Sequence, residues 1–213
     1  MDCSKRANLL TRAPFHCNIN KIELQLSGIA CCFELQSENS KMPDLLPVLT
    51  KDDIDKLVGT IARKISLDYK DRELVLIVVL KGAFIFLSDL IQDLTIPVKV
   101  GFIGASSYSS GTSSSGNIRL TKEVDIELGN KDILIVEDIV DTGLTLSYIV
   151  DYLKSFNPKT IKICTLIDKQ ERLEVKVNID YACHAVKEGF LVGYGLDYLE
   201  DYRDLPGIYH LKI

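Results

Sequence analysis

From Leu45 onwards, two hydrophobic periods alternate along the chain. Residues 51–69 carry apolar side chains at a helical spacing, at Ile54, Leu57, Val58, Ile61, Ala62 and Ile65. The next apolar run, Leu74–Leu80, is continuous and rich in β-branched residues, which is typical of a central strand that is buried on both faces. This alternation predicts an α/β fold built on a doubly wound, mainly parallel sheet.

The same two patterns continue to the carboxyl end of the chain. Further helices are predicted at residues 83–94 and 146–156, and further strands at residues 98–103, 133–136, 161–167, 181–186 and 191–195. Ligands of doubly wound sheets bind outside the carboxyl ends of the strands. The loops after Leu80, Ile103 and Val136 are therefore the candidate binding loops.

The most informative loop follows the predicted strand 133–136 and reads Glu137-Asp138-Ile139-Val140-Asp141-Thr142-Gly143-Leu144-Thr145-Leu146. Two carboxylates end the strand, and a third opens a Thr-Gly turn that leads into a helix. The free N–H groups and the dipole of a helix amino terminus favour phosphate, while carboxylates suit a cation and sugar hydroxyls. The loop therefore predicts a site for a phosphorylated ribose.

This run resembles the phosphoribosyl pyrophosphate motif of the type I phosphoribosyltransferases. The resemblance implies that Glu137 and Asp138 hold the ribose hydroxyls and orient Mg²⁺, and that Asp141 is a general base near purine N7. It further implies that the 5′-phosphate is bound by Thr142, Gly143, Leu144 and Thr145. A response-regulator receiver domain also has an acidic pair after a strand, but places it near the domain start, and here the pair comes late.

The resemblance extends over about residues 45–213 and is to the hypoxanthine-guanine phosphoribosyltransferases of bacterial size. It implies that Lys81 and Gly82, after the first core strand, bind pyrophosphate through backbone N–H groups, often with a cis Leu-Lys peptide. Ser107 and Tyr108 match the start of the family's mobile lid, which contacts pyrophosphate. Nine of the thirteen residues at 105–117 are Ser or Gly. From composition alone they would form a linker, but a long loop after a strand end favours a lid.

Purine recognition is implied for four residues nearer the carboxyl end. Lys169 would donate to the exocyclic oxygen of a 6-oxopurine and would reject adenine, which presents an amino donor there. Phe190 would stack on the purine face, while the Leu191 backbone and Asp197 would address its N1/C2 edge. Asp197 would also bind a metal-bound water, and Arg203 would form a bidentate pair with pyrophosphate.

Taken together, these matches imply a purine salvage enzyme. It would convert hypoxanthine or guanine and phosphoribosyl pyrophosphate to IMP or GMP and pyrophosphate. Its cofactor would be Mg²⁺, held by Glu137, Asp138 and Asp197. The fold would carry a small hood formed by terminal segments, and the protein would assemble as a homodimer or homotetramer. Lys169 with Phe190 disfavours uracil, whereas xanthine stays open. The non-enzyme alternative is an RNA-binding regulator that kept this fold.

Composition narrows these alternatives. Hydrophobic residues make up 46% and charged residues 26% of the chain, and no apolar run is long enough to span a membrane. The net charge of −5 disfavours nucleic-acid or membrane-surface binding through overall charge, and so disfavours the regulator. Cys164 and Cys183 lie in apolar runs without metal-binding spacing, which indicates buried thiols in a reducing cytoplasm.

The first 41 residues differ from the rest of the chain. They lack strong periodicity and contain four of the six cysteines. We expect residues 1–41 to be an extension outside a phosphoribosyltransferase domain at 42–213, since the family resemblance begins shortly after Met42. A targeting peptide is the weaker alternative. Residues 3–21 contain four basic residues and no acid, but no clear amphipathic Arg/Ser pattern and no secretory apolar core.

Overall fold

The computed structural model describes residues 44–107, 118–169 and 171–212. Within them lie nine strands and three helices: β1 (Leu45–Leu49), α1 (Lys51–Asp68), β2 (Leu74–Leu80), α2 (Phe84–Asp93), β3 (Val98–Ser107), β4 (Ile118–Lys122), β5 (Asp132–Val140), α3 (Leu144–Lys154), β6 (Thr160–Lys169), β7 (Tyr181–Val186), β8 (Leu191–Val192) and β9 (Ile208–Leu211). The predicted extension, residues 1–41, lies outside the described residues.

The larger sheet has six strands in the order β4-β3-β2-β5-β6-β7. β2 pairs in parallel with β3 on one side and with β5 on the other, and β5, β6 and β7 continue in parallel. Only β4, among the described strands of this sheet, runs antiparallel to its neighbour β3. The chain thus reverses its direction of winding between β2 and β5, which creates a topological switch point at their carboxyl ends.

Helices cover both faces of this sheet. α1 begins with a capping box, in which Asp53 N–H donates to Thr50 Oγ1 at 3.2 Å and Thr50 N–H donates to Asp53 Oδ2 at 3.1 Å. The buried residues of α1 and α2 share one core with alternate residues of β2, while α3 packs in a second core with the intervening residues of β2. The predicted doubly wound α/β architecture is confirmed.

A second, smaller sheet joins the two ends of the described domain. It is antiparallel, in the order β1-β9-β8. β1 opens the described chain and β9 closes it, so that this sheet is the hood that the resemblance implied. We call it the hood below. No helix among the described residues is long and apolar enough to cross a membrane.

The observed elements differ from the predicted ones mainly at their ends. The strand predicted at 191–195 is β-structure only at Leu191–Val192, because Gly193, Tyr194 and Gly195 all adopt positive φ and turn the chain. β5 continues past the predicted 133–136 to Val140, and α3 begins at Leu144 rather than 146. Glu137 and Asp138 therefore lie near the carboxyl end of β5, at the switch point.

Candidate active site

A cavity of about 280 Å³ opens at the carboxyl ends of β2 and β5. Lys81 and Gly82 line it from the loop after β2, and Asp197 and Arg203 line it from the segment between β8 and β9. The rest of its polar wall comes from the end of β5, the start of α3 and the turn between them: Glu137, Asp138, Asp141, Thr142, Gly143 and Thr145. Of the residues predicted for this stretch, Leu144 is described but does not line the cavity.

Gly82 allows the loop after β2 to approach the acidic pair. A Cβ at Gly82 would stand 1.5 Å from Asp138 Oδ2, so that a larger residue there would force the buried Asp138 carboxylate to move. The Leu80–Lys81 peptide bond is cis, the geometry that the resemblance implies for this loop. Asp138 Oδ1 in turn accepts a hydrogen bond of 2.8 Å from Ile139 N–H. The backbone of this loop and a carboxylate are therefore neighbours in one wall of the cavity.

The turn before α3 is held open by a second glycine. Gly143 has φ of +78°, and a Cβ on it would stand 2.1 Å from Val175 O. The preceding carbonyl, Thr142 O, accepts hydrogen bonds from Glu174 N–H at 2.9 Å and Val175 N–H at 3.0 Å. Since the first N–H groups of a helix have no intrahelical acceptor, the amino end of α3 presents free donors to the cavity. This arrangement suits a phosphate group.

Glu137 and Asp138 form an acidic pair, in which Asp138 is buried and Glu137 is half-buried. Burial first, and then the neighbouring Asp138 carboxylate, raise the pKa of Glu137 well above its ordinary value. Burial likewise raises the pKa of Asp138, against the nearby positive charge of Arg203. Glu137 Oε2 is buried and has no hydrogen-bond partner among the described residues. A pair in this condition gains from a cation or from hydroxyl donors.

The same pair offers carboxylate oxygens to a magnesium ion. No group of three or more acidic, His or Cys side chains among the described residues converges closely enough to hold a metal ion. The predicted set of Glu137, Asp138 and Asp197 is therefore not a preformed three-ligand cage. Mg²⁺ is commonly held by one or two carboxylates together with substrate phosphates and water. This way of binding Mg²⁺ fits two features of the pair. Glu137 Oε2 has no hydrogen-bond partner among the described residues, and the two neighbouring carboxylates repel each other.

A second cavity, of about 210 Å³, lies beside the first. Lys169, Phe190 and Leu191 line it, as does Arg172 from the segment after β6. Lys169 is only 6% exposed, and its Nζ lies 3.4 Å from Asp141 Oδ1 and 3.6 Å from Glu171 Oε2. The charged end of this lysine is thus buried against two carboxylates, rather than solvated.

An aromatic and apolar wall completes the second cavity. The ring of Phe190 is 42% exposed and meets Tyr198 edge to face, with the ring centroids 5.5 Å apart. Leu191 begins β8 and is buried. A flat heterocycle that stacked on Phe190 would present one edge to the Lys169 ammonium group.

The two cavities meet at shared residues. Asp138, Ile139, Asp141 and Asp197 line both of them. Asp141 Oδ1 is buried and accepts no hydrogen bond from the described residues, although Lys169 Nζ and Arg172 Nη1 each lie 3.4 Å from one of its carboxylate oxygens. The Asp141 carboxylate therefore lies where a phosphorylated ligand in the first cavity would contact a flat heterocycle in the second.

The cations of the first cavity are already engaged. Arg203 Nη1 donates to Gly195 O at 2.7 Å, and Arg203 Nη2 lies 2.8 Å from Asp197 Oδ1 and 3.3 Å from Glu200 Oε2. Lys81 Nζ donates to both oxygens of Glu200, at 3.0 and 3.1 Å. One carboxylate thus connects Arg203, which was predicted to pair with pyrophosphate, to Lys81, whose backbone was predicted to bind it.

The predicted lid is the part of the site that lies mainly outside the described residues. Ser107 is the last residue of β3 and pairs with Ile118 of β4, while Tyr108 and the segment to residue 117 are not described. Three charged residues at the site had been given no role: Glu171, Arg172 and Glu200. Glu171 and Arg172 follow Lys169 closely, and Glu200 stands three residues before Arg203, so their nearness in sequence to predicted residues was the available signal.

Comparison with known proteins identifies the class that this geometry defines. The phosphoribosyl transferase domain family matches residues 48–199, which include both cavities except for Arg203. The chain therefore belongs to the phosphoribosyltransferase family.

Individual relatives narrow this further. The chain is 42% identical over 163 residues to the hypoxanthine-guanine phosphoribosyltransferase of Streptococcus pyogenes, covering 76% of this chain and 91% of that protein. It is 41% identical over 169 residues to the enzyme of the same name from Dictyostelium discoideum, covering 78% and 94%. The crystal structure of a hypoxanthine phosphoribosyltransferase from Staphylococcus aureus matches with a TM-score of 0.75 and 38% identity, over 78% of this chain and 90% of that one. The predicted resemblance to this group is confirmed.

Proposed function

We propose that this protein transfers the phosphoribosyl group of phosphoribosyl pyrophosphate to hypoxanthine or guanine, forming IMP or GMP and releasing pyrophosphate. The observation that carries the proposal is the meeting of the two cavities at Asp141. One cavity offers a phosphate-binding helix terminus and an acidic pair, and the other offers a stacking ring and a buried lysine. The new glycosidic bond would form where the two meet. The names of the relatives support the same reaction and a role in purine salvage.

Catalysis would be mainly electrostatic. The free N–H groups at the start of α3, with Thr142 and Thr145, would fix the 5′-phosphate, and Glu137 and Asp138 would orient the ribose hydroxyls. The loop of Lys81 and Gly82, with Arg203, would stabilise the negative charge that develops on the leaving pyrophosphate. The helix terminus and the acidic pair are already held by the fold, so that little reorganisation of these groups is needed when charge moves.

The base would be recognised by charge and by stacking. Lys169 would donate to the exocyclic oxygen of the 6-oxopurine, and Phe190 would stack on its face with the gain of about 1–3 kcal/mol seen for aromatic stacking on bases. Adenine would place an amino donor against the ammonium group and would be rejected. Asp141, which accepts no hydrogen bond from the described residues, would take the proton from the base as it attacks.

Mg²⁺ would be the cofactor, held by Glu137 and Asp138 together with the substrate, and with Asp197 through water. When bound, it would supply positive charge against the pyrophosphate. The pair's raised pKa values and the unpartnered Glu137 oxygen support this choice.

We also propose that the protein is a cytoplasmic homodimer or homotetramer. Phe84 and Ile91 lie seven residues apart on α2, and hence on the same side of the helix, and they are 46% and 39% exposed. An apolar stripe of this kind suits a contact between subunits. Light scattering of the purified protein would measure the assembly directly.

Nucleotide formation from phosphoribosyl pyrophosphate and Mg²⁺ tests the function, with hypoxanthine, guanine, xanthine, adenine and uracil in parallel. We expect turnover of hypoxanthine and guanine but not of adenine or uracil, and the xanthine result settles the question that the sequence left open. The same assay on a chain lacking residues 2–41 should give equal turnover if the domain is residues 42–213. Folded protein that turns over none of the bases would refute the enzyme and favour the RNA-binding regulator.

A further inference from the structure

A single carboxylate pairs with both cations of the proposed pyrophosphate subsite. Glu200 lies 3.0 and 3.1 Å from Lys81 Nζ and 3.3 Å from Arg203 Nη2. Neither Glu200 nor Lys81 is buried, because their side chains are 65% and 67% exposed. Exposed ion pairs of this kind add little to the stability of a fold. Stability therefore does not account for the arrangement.

The backbone around Glu200 holds its carboxylate in this position. Leu199, Glu200 and Tyr202 all adopt positive φ, at 54°, 69° and 73°, a region that residues other than glycine rarely enter. Such conformations persist only where the surrounding structure imposes them, and they gather at functional sites. Glu200 N–H also donates to Asp197 Oδ2 at 2.9 Å. The segment is therefore fixed at both its backbone and its side chain.

A bound pyrophosphate would lie against the same two cations. Arg203 Nη1 donates to Gly195 O, and Arg203 Nη2 contacts Asp197 and Glu200, while Lys81 Nζ donates to Glu200. A polyanion at Arg203 Nη2 and Lys81 Nζ would displace the Glu200 carboxylate from both. Pyrophosphate carries several negative charges and the carboxylate carries one, so pyrophosphate can displace Glu200 from the two cations. Because it must do so, pyrophosphate binds more weakly than it would if Glu200 were absent.

We propose that Glu200 acts as an anionic placeholder in the pyrophosphate subsite. Its carboxylate competes with the pyrophosphate group for Lys81 and Arg203, lowers the affinity for both phosphoribosyl pyrophosphate and free pyrophosphate, and helps the product to leave by returning to the two cations. This inference rests on the proposed function, since it concerns the leaving-group end of the same site.

Calorimetric titration of Glu200→Gln with inorganic pyrophosphate and Mg²⁺ tests the placeholder. The amide keeps the size of the side chain but loses its charge, so we expect pyrophosphate to bind about threefold to tenfold more tightly than to the wild type, as two exposed ion pairs no longer compete. The KM for phosphoribosyl pyrophosphate should fall in the same proportion. Glu200→Asp, whose shorter carboxylate reaches the two cations less well, should shift both values in the same direction.

Glu73→Gln is the matched control. Glu73 also pairs with two lysines, Lys99 and Lys131, but it directly precedes β2 at the amino edge of the sheet, so its loss changes the net charge equally without touching the subsite. We expect its pyrophosphate affinity to equal that of the wild type. Equal or weaker binding by Glu200→Gln, in protein whose wild type binds pyrophosphate and forms nucleotide, would overturn the placeholder alone. A wild type that neither binds pyrophosphate nor forms nucleotide would overturn the proposed function as well.

Discussion

At the scale of single residues, Asp141 holds the position on which the proposed chemistry depends. It lines both cavities and is flanked by Lys169 and Arg172, each 3.4 Å from it. Between these two cations, Oδ1 accepts no hydrogen bond from the described residues. A carboxylate oxygen in this position could take a proton from the incoming base.

Asp141→Asn should therefore lower kcat by at least about tenfold, at the low end for lost general-base catalysis, with KM values little changed. The amide has the same shape but does not accept a proton. Steady-state kinetics with hypoxanthine would measure the effect. Asp151→Asn, on the exposed side of α3 and paired only with Lys154 among the described residues, should behave as the wild type. Unchanged turnover of Asp141→Asn would remove this residue from the mechanism.

The site residues between Glu137 and Thr145 could be predicted from the sequence because they are contiguous. One strand and one helix determine where they lie. Sequence analysis assigned no role to Glu200 or Arg172, whose partners are set by the meeting of loops from different parts of the chain. The ion pair between Glu200 and Lys81 spans 119 residues, and no local pattern announces it. The side-chain roles assigned to Ser107 and Tyr108 stay predictions.

At the scale of elements, the turn between β5 and α3 is the proposed binding site of the 5′-phosphate. Gly143→Ala should raise the KM for phosphoribosyl pyrophosphate by at least about tenfold and destabilise the fold by at least about 1 kcal/mol, the minimum for a left-handed conformation at a residue with a Cβ. The added Cβ would also meet Val175 O, 2.1 Å away. Kinetics and urea unfolding would measure the two effects.

Gly59→Ala provides the contrasting control for that substitution. Gly59 lies within α1, and a Cβ there would meet Asp93 Oδ2 at 3.4 Å, an ordinary contact. The same change of residue should therefore stabilise the protein by about 0.5–1 kcal/mol, through helix propensity, and leave the kinetics unchanged. If both variants behaved alike, the special conformation of Gly143 would not explain its role.

The long elements were predictable because their periods are strong. α1, β2 and β7 lie within a residue or so of their predicted bounds. β1, β4 and β9 were not predicted, since each has only four or five residues, and β1 includes Pro47, which is tolerated because β1 is an edge strand of the hood. β1 and β9 pair with each other across almost the whole described chain, and the Ser/Gly-rich segment separates β4 from its partner β3, so the tertiary fold determines these strands.

At the scale of the whole molecule, Tyr194 lies two residues after β8 and connects the chain that leaves the hood to helix α2. It is 2% exposed, and its hydroxyl donates to Asp89 Oδ2 of α2 at 2.6 Å. Tyr194→Phe should lower the free energy of unfolding by about 1–2 kcal/mol near neutral pH, for a hydrogen bond to a partly exposed charged acceptor. Tyr148→Phe, on the exposed surface of α3, should change it by less than about 0.5 kcal/mol.

The difference in the free energy of unfolding between the wild type and Tyr194→Phe should become smaller at alkaline pH. Burial, and then donation to Asp89, raise the pKa of Tyr194 in the folded protein, whereas an unfolded tyrosine ionises near pH about 10. The stability that this neutral hydroxyl contributes is complete below that pH and is lost as the pH rises further, because the unfolded chain releases the proton first. Phe has no such proton, so urea unfolding at pH 8 and above 10 should show the two proteins converging. A constant gap would refute the linkage.

The hood and the main sheet carry different parts of the proposed site. This separation affects how the range of bases that such enzymes accept can change. Phe190 and Leu191, which were predicted to bind the base, lie just before and at the start of β8 in the hood, whereas Glu137 and Asp138 lie at the end of β5 in the main sheet. Substitutions in the hood can therefore alter which heterocycle is accepted while the transfer machinery stays intact. A library confined to the hood positions around the base would explore new substrates without risking the ability to handle the sugar phosphate.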